Sequence, residues 1–137
     1  MNVLTYEYTF IYNLGVMMKK PSLKTIDKME NILNLTSDSS RIKILLSLLD
    51  FEVCDNHICK KDCLKCDYRI EKSVGEIVLE VGLSQSLVSH QLKILKDGRL
   101  VNNRREGKRV LYYLADHHVK VLLSVVLEHV MEEMKND

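Results

Sequence analysis

Residues 83–114 read LSQSLVSHQLKILKDGRLVNNRREGKRVLYYL, and this stretch decides the fold. Ser84 follows a turn at Gly82 and is a good helix N-cap. Gly98 lies where a glycine in the left-handed conformation would end the helix. The sequence therefore predicts a helix over residues 84–97.

A basic β-hairpin is predicted directly after this helix. Residues 100–105 and 108–114 alternate as strands do, and they flank a turn at Glu106–Gly107. The tip of the hairpin carries four cations: Arg104, Arg105, Lys108 and Arg109. A helix that leads into a basic hairpin is the arrangement of a winged helix-turn-helix, so we expect a mainly α fold with a small β-hairpin.

The predicted helix has a packed side and a polar side, because successive residues are about 100° apart. The packed side carries Leu87, Val88, Gln91, Ile94 and Leu95. The polar side carries Gln85, Ser86, Ser89, His90, Lys93 and Lys96. Residues 84–114 hold seven basic and two acidic side chains, a net charge of +5 in a chain of +1. This concentrated patch favours binding to double-stranded DNA over an ordinary solvated basic surface.

Helices are also predicted on both sides of this stretch. Apolar spacing marks a first helix at Ile26, Met29, Ile32 and Leu33. Ser37 or Asp38 caps a second helix, with Ile42, Ile44, Leu45, Leu48 and Leu49 toward the core. Residues 74–81 form the first helix of the DNA-binding pair, and a last helix runs from about His117 to Met134.

One domain accounts for most of the chain. We expect residues 23–137 to form a winged-helix and dimerisation domain with a Cys-rich insertion at about 51–72, preceded by an N-terminal extension over 1–22. No apolar run is long enough to cross a bilayer, and no basic leader precedes the apolar residues near the N-terminus. The expectation is a cytoplasmic protein without a membrane partner.

Three segments resemble the ArsR/SmtB metal-sensing repressors. They are LSQSLVSHQLKIL at 83–95, REGKRVLYYL at 105–114 and LTSDSSRIKIL at 35–45. The resemblance extends over about residues 25–135, interrupted by the insertion. It implies a homodimeric repressor that a ligand releases from its operator.

The last helix carries four residues in a pattern with which similar repressors bind zinc: Asp116, His118, His129 and Glu132. Eleven residues separate the histidines, so they share one stripe but lie about 16 Å apart along the axis. Zinc needs its nitrogen ligands at about 2 Å, so one chain cannot close the site. Two antiparallel copies can, by pairing the first two ligands of one with the last two of the other. The alternative is that both histidines only pack or hydrogen-bond at the interface.

The last helix also needs a partner for its apolar surface. It is apolar almost all round, through Val119, Val121, Leu122, Leu123, Val125, Val126, Leu127, Val130 and Met131. Such a helix usually has a second protein against it. We therefore expect a homodimer formed through the terminal helices.

All four cysteines of the chain lie in the insertion, at Cys54, Cys59, Cys63 and Cys66. Clustered thiols in a polar loop of a cytoplasmic protein favour a metal over disulfides, and a second Zn(II) held by four thiolates fits best. Two other interpretations stay open, namely a sensory site for a thiophilic ion and a redox switch at the last two cysteines. The redox case would make the chain a thiol-responsive repressor of the same fold.

An enzyme is not expected. No Ser-His-Asp set, phosphate-binding glycine loop or paired catalytic carboxylates are recognisable, and no βαβ pattern precedes Cys63. The remaining alternative is a zinc-stabilised dimerisation module that does not bind DNA.

Overall fold

The computed structural model describes residues 20–49 and 69–137. The N-terminal extension up to residue 19 and residues 50–68, with all four cysteines, lie outside the described residues. The described elements are α1 (Leu23–Leu35), α2 (Ser39–Ser47), β1 (Lys72–Ser73), α3 (Val74–Val81), α4 (Gln85–Asp97), β2 (Val101–Glu106), β3 (Arg109–Leu114) and α5 (His117–Asn136). The predicted class, mainly helical with a small sheet, is confirmed.

Each described helix starts at a side chain that caps its first turn. The capping oxygens belong to Ser22, Asp38, Ser73, Ser84 and Asp116, and each accepts a hydrogen bond from a backbone N–H of the first turn. These caps satisfy donors that a helix leaves without partners at its N-terminus. The predicted N-cap at Ser84, at the start of α4, is confirmed.

The core lies between α2, α3, α4 and the sheet. Its fully buried side chains include Ile44, Leu45, Ile77, Val88, Leu92 and Leu95. Ile42 was also expected there, but 38% of it is exposed. It lies two residues, about 200°, from Ile44 on the helix, so the two side chains point in nearly opposite directions. That part of the prediction is wrong for the single chain.

Two turns position α4. Gly82 ends α3 with φ +70°, a left-handed conformation that suits glycine. Gly98 was expected to do the same after α4 and does not, because its φ is −79° and Arg99 takes the positive value of 62°. A Cβ at Gly98 would overlap Cδ1 of Leu35 at the end of α1. Any larger residue at this position would therefore require the Leu35 side chain to move.

The sheet has three strands in the order β1-β3-β2, all antiparallel. The predicted hairpin is present, but its two-residue turn is Gly107–Lys108 and not Glu106–Gly107, because Glu106 pairs with Arg109 in the ladder and Gly107 takes the positive φ of +61°. The third strand, β1, was not predicted. Its Lys72 donates from Nζ to the carbonyl oxygen of Ser47 at 2.6 Å, which connects the two ends of the insertion.

The two terminal helices contribute little to this core. α1 has no buried residue, and α5 buries only Val119 and Leu123. Their exposed apolar side chains include Leu23, Met29, Leu33, Val126, Met131 and Met134. Within the described ranges, neither they nor any other helix is long and apolar enough to span a bilayer.

Candidate nucleic-acid interface and metal site

The predicted polar side of α4 is exposed in full. Ser84 accepts a hydrogen bond from the backbone N–H of Leu87 at 3.2 Å, which fixes where the helix starts. The opposite side is anchored by Val88, Leu92 and Leu95, none of which is exposed to solvent. The exposed side chains are those expected: Gln85, Ser86, Ser89, His90, Lys93 and Lys96. This leaves one polar helix face open to a partner.

A side-chain hydrogen bond joins this face to the hairpin. Nζ of Lys96 donates to Oδ1 of Asn103 on β2 at 3.0 Å. The hydrogen bond spans seven residues of sequence and connects the last turn of α4 to the strand that leads to the hairpin tip. The hairpin of β2 and β3 is hereafter called the wing. The exposed face of α4 and the wing thus form one continuous surface.

Arg104 on the wing is held by a carboxylate that sequence reasoning missed. Its Nε donates to Oε2 of Glu71 at 2.7 Å, just before β1. Arg69 donates to the other oxygen of Glu71 at 3.0 Å, and its guanidinium lies 3.8 Å from the centre of the Tyr113 ring. These contacts lower the pKa of Glu71, chiefly through the hydrogen bond from Arg104. The segment after the insertion is thereby joined to both wing strands.

Arg109 is held in a similar way by Glu76 on α3. Its Nη2 lies 3.1 Å from Oε2 of Glu76. The same oxygen accepts from the backbone N–H of Ser73 at 2.7 Å, in a capping box. That backbone hydrogen bond is the largest cause of the lowered pKa of Glu76. Two of the four predicted wing cations are therefore ion-paired.

The four predicted metal ligands lie at the two ends of α5. Asp116 caps the helix by accepting from the backbone N–H of Val119 at 3.1 Å, and its Oδ1 lies 3.6 Å from Nδ1 of His118. His129 lies two turns before the other end, with Nε2 3.2 Å from Oε1 of Glu133. The side chains of both histidines are mostly exposed, 85% and 71%.

These donors fit a zinc ion chemically, although one chain does not assemble them. Imidazole nitrogen and carboxylate oxygen are ordinary zinc ligands. Asp116 and His118 also line an open cavity between α1 and the turn after α4. Over 20–49 and 69–137, no three His, Cys, Asp or Glu side chains come together as a metal site. The Cys54, Cys59, Cys63 and Cys66 site falls outside those ranges.

Comparison with known proteins identifies the family. The arsR family of bacterial regulatory proteins matches residues 69–103. A transcriptional repressor SmtB homolog from Synechocystis sp. is 32% identical over 111 residues, which cover 81% of this chain and 70% of that protein. The chain belongs to the ArsR/SmtB family. It is a transcriptional regulator and not an enzyme.

One further relative and two solved structures are also similar to this ArsR/SmtB protein. A cadmium resistance regulatory protein CadC homolog from Staphylococcus aureus is 31% identical over 92% of this chain and 91% of its own length. The solved structure of HlyU from Vibrio cholerae is 30% identical, with a TM-score of 0.59 over 77% of this chain and 94% of that one. A homodimeric winged helix-turn-helix domain from Mycobacterium bovis has a TM-score of 0.64 at 24% identity, over 88% and 96%. It supports the fold.

Proposed function

We propose that this chain is a metal-responsive transcriptional repressor. It binds a palindromic operator as a homodimer in the bacterial cytoplasm and is released by Zn(II) or a similar ion. The observation that carries the proposal is the continuous surface of α4 and the wing, connected through Lys96 and Asn103. A helix with short polar side chains reads base edges in the major groove, while wing cations contact the backbone. Ser86, Ser89 and His90 are the proposed base-reading residues.

The dimer accounts for the two helices that the single chain leaves uncovered. α1 buries none of its residues, and most of the apolar side chains of α5 are exposed or half-buried. Side chains such as Met29, Leu33 and Val126 are each more than half exposed. Burying this apolar surface against a second copy stabilises the protein by about 25 cal/mol per Å². The terminal helices are therefore the proposed dimer interface.

The same dimer completes the proposed zinc site. Asp116 and His118 of one protomer join His129 and Glu132 of the partner subunit, which gives two identical sites related by the twofold axis. The exposure of both histidines in the single chain supports this, because neither side chain is committed to the core. The CadC relative is named for cadmium resistance, which supports regulation by a metal.

For the cysteine cluster we propose a structural zinc ion held by Cys54, Cys59, Cys63 and Cys66. Four thiolates suit tetrahedral zinc, and metal binding can order a segment that has few apolar residues of its own. One observation favours a second candidate function. The CadC homolog, whose name refers to cadmium resistance, matches over 92% of this chain, and cadmium prefers thiolate ligands. In that case the cluster senses a thiophilic ion.

The DNA-binding proposal is tested with the metal-free, full-length protein. A duplex is selected from a random-sequence pool, and its dissociation constant is compared with that of a shuffled duplex at two salt concentrations. We expect the selected duplex to bind about 10³-fold tighter or more, with half-sites centred about 34 Å apart. Ser89→Ala should weaken the selected duplex by about 1–3 kcal/mol and the shuffled duplex hardly at all. Equal affinity for both duplexes, or none for either, would contradict the proposal.

A further inference from the structure

The wing sheet has two faces, and the strand register assigns its cations to them. Val101 on β2 pairs with Leu114 on β3, and both are buried in the core, so their side is the inner face. Side chains alternate between the two faces along a strand. Asn103 and Arg105 therefore lie on the inner face with Val101. Arg104 lies on the outer face.

The outer-face cations already have carboxylate partners. Arg109 pairs with Glu106 across the hairpin and so shares the outer face with Arg104. Arg104 is hydrogen-bonded to Glu71 at 2.7 Å, and Arg109 lies 3.1 Å from Glu76. A phosphate would first have to displace these carboxylates, since each one neutralises the guanidinium that it contacts. Their geometry instead fastens the wing to β1 and to α3.

The inner face of the wing sheet adjoins the exposed polar face of α4. Asn103 accepts from Lys96, which lies on the exposed side of α4 three residues after Lys93. Arg105 is the next inner-face residue toward the tip, and its side chain is exposed. Within residues 20–49 and 69–137 it makes neither an ion pair nor a side-chain hydrogen bond. The exposed polar residues therefore continue from α4 onto the wing as a row of Lys93, Lys96, Asn103 and Arg105. Within the described residues, the guanidinium of Arg105 at the end of this row has no ion-pair partner.

We infer that the wing divides its arginines by face. Arg105 contacts the DNA backbone, whereas Arg104 and Arg109 are positioning residues that hold the sheet against β1 and α3. This division rests on the proposed DNA-binding function. It also narrows the expectation from sequence, which assigned all four tip cations to DNA.

Arg104→Ala and Arg105→Ala are a matched pair, because adjacent residues lose the same charge from opposite faces. Binding to one duplex is followed by fluorescence anisotropy between 50 and 300 mM salt, and log K is plotted against log salt. Arg105→Ala should reduce the slope by about 0.9 for each wing on the DNA, about 1.8 for a dimer. Affinity for any duplex should fall about tenfold or more in 0.1 M salt. Arg104→Ala should keep the wild-type slope and instead speed amide exchange at Lys72 and Ser73.

Glu71→Gln tests the same division of the arginines if Arg104→Ala folds poorly. It frees the charge of Arg104 on the outer face, so both slope and affinity should stay at the wild-type values. Tighter binding at an unchanged slope would mean that Arg104 of the wild type exchanges Glu71 for a phosphate, which overturns the division. Equal slope losses in Arg104→Ala and Arg105→Ala would overturn it too. Failure of the wild-type protein to bind any duplex would instead refute DNA binding itself.

Discussion

Nη1 of Arg41 donates a hydrogen bond to Oε1 of Gln91 at 3.2 Å, across fifty residues of sequence. Nε of the same guanidinium donates to the carbonyl oxygen of Leu35 at 2.8 Å. Arg41 on α2 therefore connects the end of α1 to the buried side of α4. α1 is a proposed dimer helix and α4 is the proposed recognition helix. Arg41 therefore links the proposed dimer interface to the proposed DNA-binding helix.

Arg41→Met should destabilise the protein by about 1–3 kcal/mol, because Gln91 is almost buried and would lose its partner. Lys43→Met is the matched control, since it removes the same charge from an exposed position of the same helix. The control should stay within about 0.5 kcal/mol of the wild type. Urea unfolding at one fixed protein concentration measures both. Equal losses for the two variants would show that the hydrogen bonds of Arg41 add nothing.

Gly98→Ala should destabilise the protein by about 1 kcal/mol through overpacking, because the end of the Leu35 side chain must move away from the new methyl group. Gly75→Ala is the control, since the nearest heavy atom to its added Cβ is Oγ of Ser73 at 4.0 Å. It should stabilise by about 0.4–1 kcal/mol. In a Leu35→Ala background the cost of Gly98→Ala should largely disappear, as a double-mutant cycle of thermal unfolding would reveal. An undiminished cost would locate the strain elsewhere.

Local features of the sequence were enough to predict the exposed polar face of α4. The N-cap at Ser84 and the two sides of α4 depend on residues within a few turns, and the structure has them as expected. Gly98 was recognised as a special position for the wrong physical reason. The structural constraint on it is the close contact with the Leu35 side chain, which is 63 positions away in the sequence.

The missed features all depend on distant parts of the chain. Glu71 meets Arg104 across 33 residues, and the two-residue β1 is too short to show an alternating pattern. One signal was available, because Ser73 and Glu76 have the spacing of a capping box. Nothing local indicates that the same Glu76 also binds Arg109. The proposed burial of α1 and α5 in a dimer depends on a second chain.

The double variant Cys63→Ser, Cys66→Ser should lose about one zinc per chain and become more susceptible to proteolysis between residues 54 and 70. Release from DNA by zinc at the proposed site of Asp116, His118, His129 and Glu132, hereafter the tail site, should persist, since its ligands are elsewhere. Metal analysis, limited proteolysis and DNA binding on the same preparation test this. A variant that stays folded and metal-replete yet no longer responds to metal would identify the cluster as the sensor.

Zinc binding by mixed dimers tests the shared site. His118→Ala and His129→Ala should each lose tight zinc binding at the tail when assayed alone. A refolded equal mixture should recover it in heterodimers, where one site keeps all four ligands and the other lacks both histidines. Random pairing predicts about a quarter of the wild-type tail stoichiometry per chain. No recovery would mean that each site draws its ligands from a single chain.

The most direct test of metal-responsive repression is the affinity of the dimer for its selected duplex with and without bound zinc. A ligand shifts DNA binding only by its differential affinity for the free and DNA-bound states. We expect zinc at the tail site to weaken binding about 100-fold, a coupling of about 2.7 kcal/mol, and the DNA-bound dimer to hold zinc more weakly by the same factor. The His118→Ala dimer should bind the duplex equally well with or without zinc. Unchanged affinity of the wild-type dimer at zinc saturation would contradict the account.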